Sequence, residues 1–248
     1  MKAWLKFFRV VNLPTVPGDV WVGLVAFWSG AGILLDTGVP VLWATLASCC
    51  AYLYGLADND IVGAATDRGR PIPDGEISLG AARVARAVCW ALVLVFGSVP
   101  DPISKTRLPV EWWFVMLSLF LAMSIYNRTK AWWLMGLCRG LNVLTGGAVA
   151  YAAWKVCLNR QDALPACALA LGAVVLIWTV YVAWVTKYSE GEETDPARKR
   201  RVGFLIGAIV YLQMTALLVF HSGLVVIVAV LLVLMRILQR LLPKVSAS

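Results

Sequence analysis

Eight long apolar runs decide what this chain can fold into. They fall near 17–35, 40–57, 79–99, 111–126, 131–153, 163–186, 202–220 and 223–242 of its 248 residues. A helix needs about 20 predominantly apolar residues to cross a bilayer. The runs are continuous and rich in Leu, Ala, Val and Trp, without the alternation of polar and apolar positions that a barrel strand shows. They therefore predict helices, which satisfy their own backbone hydrogen bonds in lipid. The runs at 40–57 and 111–126 are short and are expected to extend into their polar flanks. Only 15% of the residues are charged, against about a quarter in a soluble domain, so a soluble globular fold is excluded. The expectation is an all-α, polytopic membrane bundle of about eight transmembrane helices, formed as one domain over residues 1–248. The opening MKAWLKFFRVVNLP is basic and aromatic. It reads as an interfacial helix leading into the first span, not as a cleaved signal.

Charge sets an orientation. With eight spans, both termini and the 2–3, 4–5 and 6–7 loops share one side, which collects 18 of the 22 Lys and Arg residues. Lys105, Arg107, Lys155 and Arg160 fall on the other. An excess of cationic residues marks the cytoplasmic side, so the termini and the polar loops are expected there, in the inner or plasma membrane if the cell is bacterial. The net charge of +8 is accounted for by this membrane-surface asymmetry and calls for no nucleic-acid partner; the lipid bilayer is the expected surrounding.

The acidic residues are distributed unevenly too. Asp58, Asp60, Asp67, Asp74 and Glu76 follow the second span, while Glu190, Glu192, Glu193 and Asp195 follow the sixth. Ionisable groups are costly in hydrocarbon and mark functional sites at span ends. If the second helix continued through its cluster, Asp60 and Asp67 would lie about 20° apart around the axis and about 10 Å apart along it. One small cation does not reach both at that spacing, which leaves two ions or the two ends of a bridged diphosphate. Asn59 adds a neutral oxygen of the kind Mg²⁺ accepts. Arg68 and Arg70 offer planar donors suited to phosphate oxygens, and Pro71 and Pro73 stop the helix. Solvated loop chemistry, with caps and surface charges, is the competing explanation. In the second cluster Lys187 precedes Glu190, and the basic run Arg198 to Arg201 fits contact with anionic lipid.

A third element lies in SIYNRTKAWWLMGLCRGLNVLTGG, where Tyr126, Asn127, Arg128 and Lys130 sit at the same membrane surface. Arg139 and Asn142, three apart, occupy neighbouring faces further into the fifth span. A buried arginine needs a partner, and either a diphosphate or an acidic side chain from another helix would serve. Gly136, Gly140, Gly146 and Gly147 fit close helix packing. The cysteines, including the adjacent Cys49 and Cys50, show no metal-type spacing and read as small apolar packing residues. His221 reads as a loop residue.

NDIVGAATD at 59–67, RPIPDGEIS at 70–78, YNRTK at 126–130 and MGLCRGLNVLTG at 135–146 together resemble the UbiA superfamily of intramembrane prenyltransferases. The likeness extends to a bacterial branch that includes EboC-type proteins. That family pairs an N-D-x-x-D-x-x-x-D motif after its second span with an acid-rich motif after its sixth. The resemblance implies a helical bundle, Mg²⁺ as cofactor, an isoprenoid diphosphate as donor and transfer of its prenyl group to an unidentified acceptor in the membrane. It implies Asp60, Asp67 and Lys187 as catalytic residues, and Asn59, Asp60, Asp67 and Glu190 as metal ligands. Arg68, Arg70, Tyr126, Asn127, Arg128, Lys130, Arg139 and Asn142 would bind the diphosphate. Three features depart from the family pattern. Gly63 stands at the middle aspartate position, the segment between Asp67 and Arg70 is shorter, and the family commonly has one more span.

Two other classes compete with the enzyme. A catalytically weakened descendant would bind or carry an isoprenoid lipid, in keeping with Gly63. A small-molecule transporter would show inverted repeats and spans interrupted at mid-membrane. Neither is evident here, and Asp19 is the main polar intrusion outside the named clusters.

Overall fold

A computed structural model gives the structure and describes residues 2–30, 41–67, 69–100, 105, 107–157, 163–191, 195–219 and 225–241. Arg68, Glu192, Glu193 and His221 lie outside the described residues. A short helix α1 (Lys2–Phe7) and a 3₁₀ turn (Val10–Asn12) lead into α2 (Thr15–Gly30). Then follow α3 (Val41–Val62), α4 (Leu79–Ser98), α5 (Val110–Thr129), α6 (Trp132–Cys157), α7 (Leu164–Ser189), α8 (Pro196–Val219) and α9 (Val225–Leu241). Among the described residues there is no strand, and each expected span corresponds to one of the eight helices α2 to α9. The two short runs lengthen at their C-terminal ends into polar sequence, giving 22 residues in α3 and 20 in α5.

The protein is an integral membrane protein. Six of the helices meet both the length and the apolarity needed to cross a bilayer. The other two are α6, 26 residues long but carrying Arg139, Asn142 and Lys155, and α9, which has 17 residues. Large apolar side chains stand exposed along the outer helices, such as Leu117 and Leu121 on α5 and Leu169, Leu176 and Val180 on α7. Exposed apolar area of this extent is expected of a lipid-facing surface.

Helix α6 is central, packing on α2, α5 and α7, while α3 lies against α4. Two glycines allow α2 and α6 to approach. A Cβ on Gly23 would sit 1.8 Å from the Val143 carbonyl oxygen, and one on Gly146 would sit 1.8 Å from that of Val20. Small residues at crossings are how helices gain packing in lipid, where no hydrophobic force draws them together. On the other face of α6, a Cβ on Gly136 would meet the Thr179 carbonyl of α7 at 2.2 Å. The packing role expected of Gly136 and Gly146 follows from these distances.

At one rim, Phe7 of α1 is fully buried with Ala57, Ile77 and Ala82, which fixes the N-terminal segment across the ends of α3 and α4.

Candidate functional site

Between α2, α3, α5, α6, α7 and α8 lies a cavity of about 400 Å³. Its charged rim comes from the segment before α2, the end of α3 and the α5–α6 junction, and Arg139 and Asn142 of α6 line it more deeply. The α7 and α8 side is largely apolar, with Val182, Val185, Val202, Ile206 and Ile209. One chamber therefore joins a charged rim to a hydrocarbon-like wall.

The rim is built where helices stop. Helix α3 ends at Val62, and the chain turns through Gly63, whose carbonyl accepts from the Thr66 and Asp67 amides at 3.0 and 2.9 Å. The continued helix that would have separated Asp60 from Asp67 along one axis is thus not formed. Instead the turn brings the Asp67 carboxylate back over Gly63, where an added Cβ would meet Asp67 Oδ2 at 2.3 Å. Arg70 then spans the two acids, with Nη1 2.6 Å from Asp60 Oδ1 and Nε 3.6 Å from Asp67 Oδ2. Arg9 reaches the same Asp60 oxygen at 3.4 Å from the other side. Lys130 donates to Asn59 Oδ1, and its ammonium lies 6.0 Å from the centre of the Tyr126 ring. Burial is the largest cause of a lowered Lys130 pKa; the Arg9 charge adds to it, and Asp67, Asp60 and Asp58 oppose it.

Much of RPIPDGEIS serves the loop itself. The Ile77 amide donates to the Pro71 carbonyl at 3.0 Å, Gly75 takes a φ of +73° that favours glycine, and Ser78 Oγ caps α4 by accepting from the Ala81 amide. Arg70 is the residue of this run that lines the cavity.

Deeper in the bundle a second polar cluster surrounds Asp19, which has no exposed surface. Arg139 Nε lies 3.0 Å from its Oδ2, Asn142 donates to that oxygen at 3.0 Å, and Trp178 and Gln213 donate to Oδ1 at 3.0 and 2.7 Å. Asp19 thus ties α2 to α6, α7 and α8. An acidic side chain from another helix is therefore the protein's own partner for Arg139. A fully buried charge persists only when paired and hydrogen-bonded in this way.

The expected site residues divide accordingly. Asn59, Asp67, Arg70, Tyr126, Asn127, Lys130, Arg139 and Asn142 all line the cavity. Asn127 is also held by Asp58 Oδ2, at 2.9 Å, and by the Gly55 carbonyl. Asp60 sits behind the lining, 3% exposed, and reaches the cavity through its arginines. Asp58 is engaged by Arg86 Nη1 at 2.6 Å as well as by Asn127, and so does not replace a carboxylate at position 63. Three expectations part from the geometry. Arg128 is exposed and bonds back to Ser124 of its own helix turn. Lys187 and Glu190 pair with each other at 2.7 Å, with more than half of each side chain exposed, and neither lines the cavity. The adjacent loop residue Asp195 accepts from the Ala197 and Arg198 amides, which lower its pKa as a helix cap. From the α7 side the cavity receives Val182, Val185, Thr186 and Ser189.

Sequence reasoning missed Arg9, Asn12, Thr15, Ser48 and Tyr52 as lining residues and Gln213 as a partner of Asp19. Gln213 gave a usable signal, an amide in the middle of an apolar run, which calls for a buried partner. Arg9 gave none stronger than its position just before the first span.

The donors expected for Mg²⁺ do not make a fitting metal site. Among the described residues no group of three His, Cys, Asp or Glu side chains is placed to hold a metal ion. Asp60 Oδ1 already faces two guanidinium groups, Asn59 Oδ1 faces an ammonium, and Glu190 is elsewhere. A divalent ion at this rim would meet three resident cations.

No protein-family model matches the sequence, and no curated protein matches it. Among solved structures, the chain is similar to a digeranylgeranylglyceryl phosphate synthase in membranes. The match covers 99% of this chain and 92% of that one, at 14% identity and a TM-score of 0.50. This chain therefore shares the fold of that membrane synthase.

Proposed function

We propose that this protein binds an isoprenoid diphosphate in the chamber between α2, α3, α5, α6, α7 and α8, and transfers its prenyl group to an acceptor within the membrane. The observation that carries the reading is the pairing, in one cavity, of Arg9, Arg70 and Lys130 at the rim with the apolar wall of α7 and α8. A phosphate headgroup fits the first and a polyprenyl tail the second. The shared fold with a prenyltransferase supports the same reading.

In the transfer, the allylic C–O bond breaks with its electron pair leaving on the diphosphate, and the acceptor nucleophile bonds to the allylic carbon and loses a proton. Guanidinium and ammonium donors aimed at the leaving oxygens stabilise the charge that develops there. The allylic cation requires a chamber free of water, and the Tyr126 ring on the lining offers a cation–π face worth about 0.5–2 kcal/mol. No step is assigned to Mg²⁺, because the rim donors are already engaged by cations. The charge asymmetry of the loops supports a cytoplasmic rim, which cysteine-accessibility labelling in sealed vesicles would test.

A second reading, a protein that holds an isoprenoid lipid without turning it over, is favoured by Gly63 at the middle position of the acidic motif and by the engaged Asp60. The two separate in one experiment. Purified protein is incubated with farnesyl and geranylgeranyl diphosphate and a panel of membrane acceptors, and released diphosphate and prenylated products are measured by mass spectrometry. Turnover lost in Asp67→Ala supports the enzyme. Stoichiometric donor binding without release supports the carrier, and absence of binding overturns both.

A further inference from the structure

We infer that the rim grips the phosphate headgroup with the protein's own cations, Arg9, Arg70 and Lys130, and needs no divalent metal ion to do so. This rests on the isoprenoid-diphosphate reading above and goes beyond it in naming how the charge is met.

Four observations converge. Asp60 is buried and faces both Arg9 and Arg70 through one oxygen, so its charge is spent on holding two guanidinium groups at the cavity. Asn59, the neutral oxygen expected on a metal, accepts from Lys130 instead. The backbone at Arg9 and at Lys130 takes φ values of 40° and 54°, a left-handed conformation that residues with a Cβ rarely adopt. These two of the lining cations are thus presented from strained turns, a cost that persists where surrounding structure imposes it. Finally, Gly63 removes a carboxylate, and the space beside it is filled by the Asp67 carboxylate, which leaves no room for a side chain there without displacing Asp67.

The charge balance agrees. Three cations face Asp60 and Asp67, so the rim carries one positive charge in excess before any ligand enters. Such a rim repels Mg²⁺ and attracts a phosphate, whose oxygens match planar guanidinium donors in pairs. In this arrangement Asp60 is a positioning residue for the arginines.

The test is equilibrium binding of farnesyl diphosphate to the full chain in lipid nanodiscs, followed by tryptophan fluorescence, in EDTA and in millimolar Mg²⁺. The affinities in the two media should agree within about threefold. Arg9→Gln and Lys130→Gln should each weaken binding by about tenfold or more in both media, with Lys130→Arg keeping most of it and Arg9→Lys only part, since an ammonium lacks the paired donors. Thermal unfolding of each variant separates lost affinity from lost fold. Asp60→Asn should weaken binding equally in both media. Binding that appears only with Mg²⁺, or an Asp60→Asn defect confined to the Mg²⁺ medium, overturns the inference and leaves the proposed function standing. Absence of binding in both media overturns the two together.

Discussion

The acid-and-base clusters that follow α3 and α7 have similar composition and sit at the ends of similar apolar helices, yet the fold uses them differently. After α3, Asp60 is 3% exposed and its partners come from fifty-one residues upstream and ten downstream. After α7, Lys187 and Glu190 pair across one helical turn at more than half exposure, and Asp195 caps the next helix. The first cluster is held by tertiary contacts and faces a cavity. Among its described residues, the second is held by short-range contacts between the end of α7 and the start of α8. Similar charge patterns therefore acquire different roles according to whether the partners are distant or local. A distant pair orders side chains from several elements at once, whereas a local pair in water adds little.

The contrast is open to experiment, and the largest effect should come from the most enclosed group. Asp19→Ala leaves Arg139 buried without its carboxylate and should destabilise the bundle by about 3–5 kcal/mol, read from thermal or denaturant unfolding in detergent. A loss below about 1 kcal/mol would mean that Arg139 finds another partner or solvent. Next, Asp60→Ala should cost about 2–3 kcal/mol in the same assay, less because its arginines keep some exposure.

An intermediate effect is expected from pH. Lys130 is held below the ordinary lysine range, chiefly by burial. Its ammonium is the form disfavoured by folding, so the penalty applies below the lowered pKa and is relieved as pH rises towards the ordinary value. Stability from this group should therefore rise with pH across that window, while headgroup affinity, which needs the ammonium, should fall. Titrating farnesyl diphosphate affinity from neutral to alkaline pH should show the decline beginning before an ordinary lysine would titrate, and Lys130→Arg should flatten it.

Smaller still, Gly63→Ala pushes the Asp67 carboxylate from its place over the glycine and loosens Arg70, which predicts a few-fold loss of affinity by tryptophan fluorescence. Smallest of all, Glu190→Ala should change stability by no more than about 0.5 kcal/mol and leave affinity unchanged. If Glu190→Ala lost as much affinity as Asp60→Ala, the two clusters would be partners in one site after all.

By itself the sequence determined that this chain forms a bundle of membrane helices and where those helices run, because length and apolarity are local properties that lipid enforces residue by residue. It also placed a helix stop at Pro71 and Pro73, although α3 ends earlier, at Val62, and it showed the need of Arg139 for a counter-charge, since an unpaired buried ion is too costly to persist. Which counter-charge Arg139 meets was decided only by the packing of α2 on α6, which brings Asp19 beside it across 120 positions. Likewise Arg9 joined the rim because α1 and the turn after it fold back over the end of α3, a contact that no periodicity encodes. Lys187 and Glu190 read like the other half of a shared site, but their own spacing lets them satisfy each other first. Only the three-dimensional arrangement of the helices selects which charged groups meet, because electrostatic pairing depends on distance in space and the sequence records only distance along the chain.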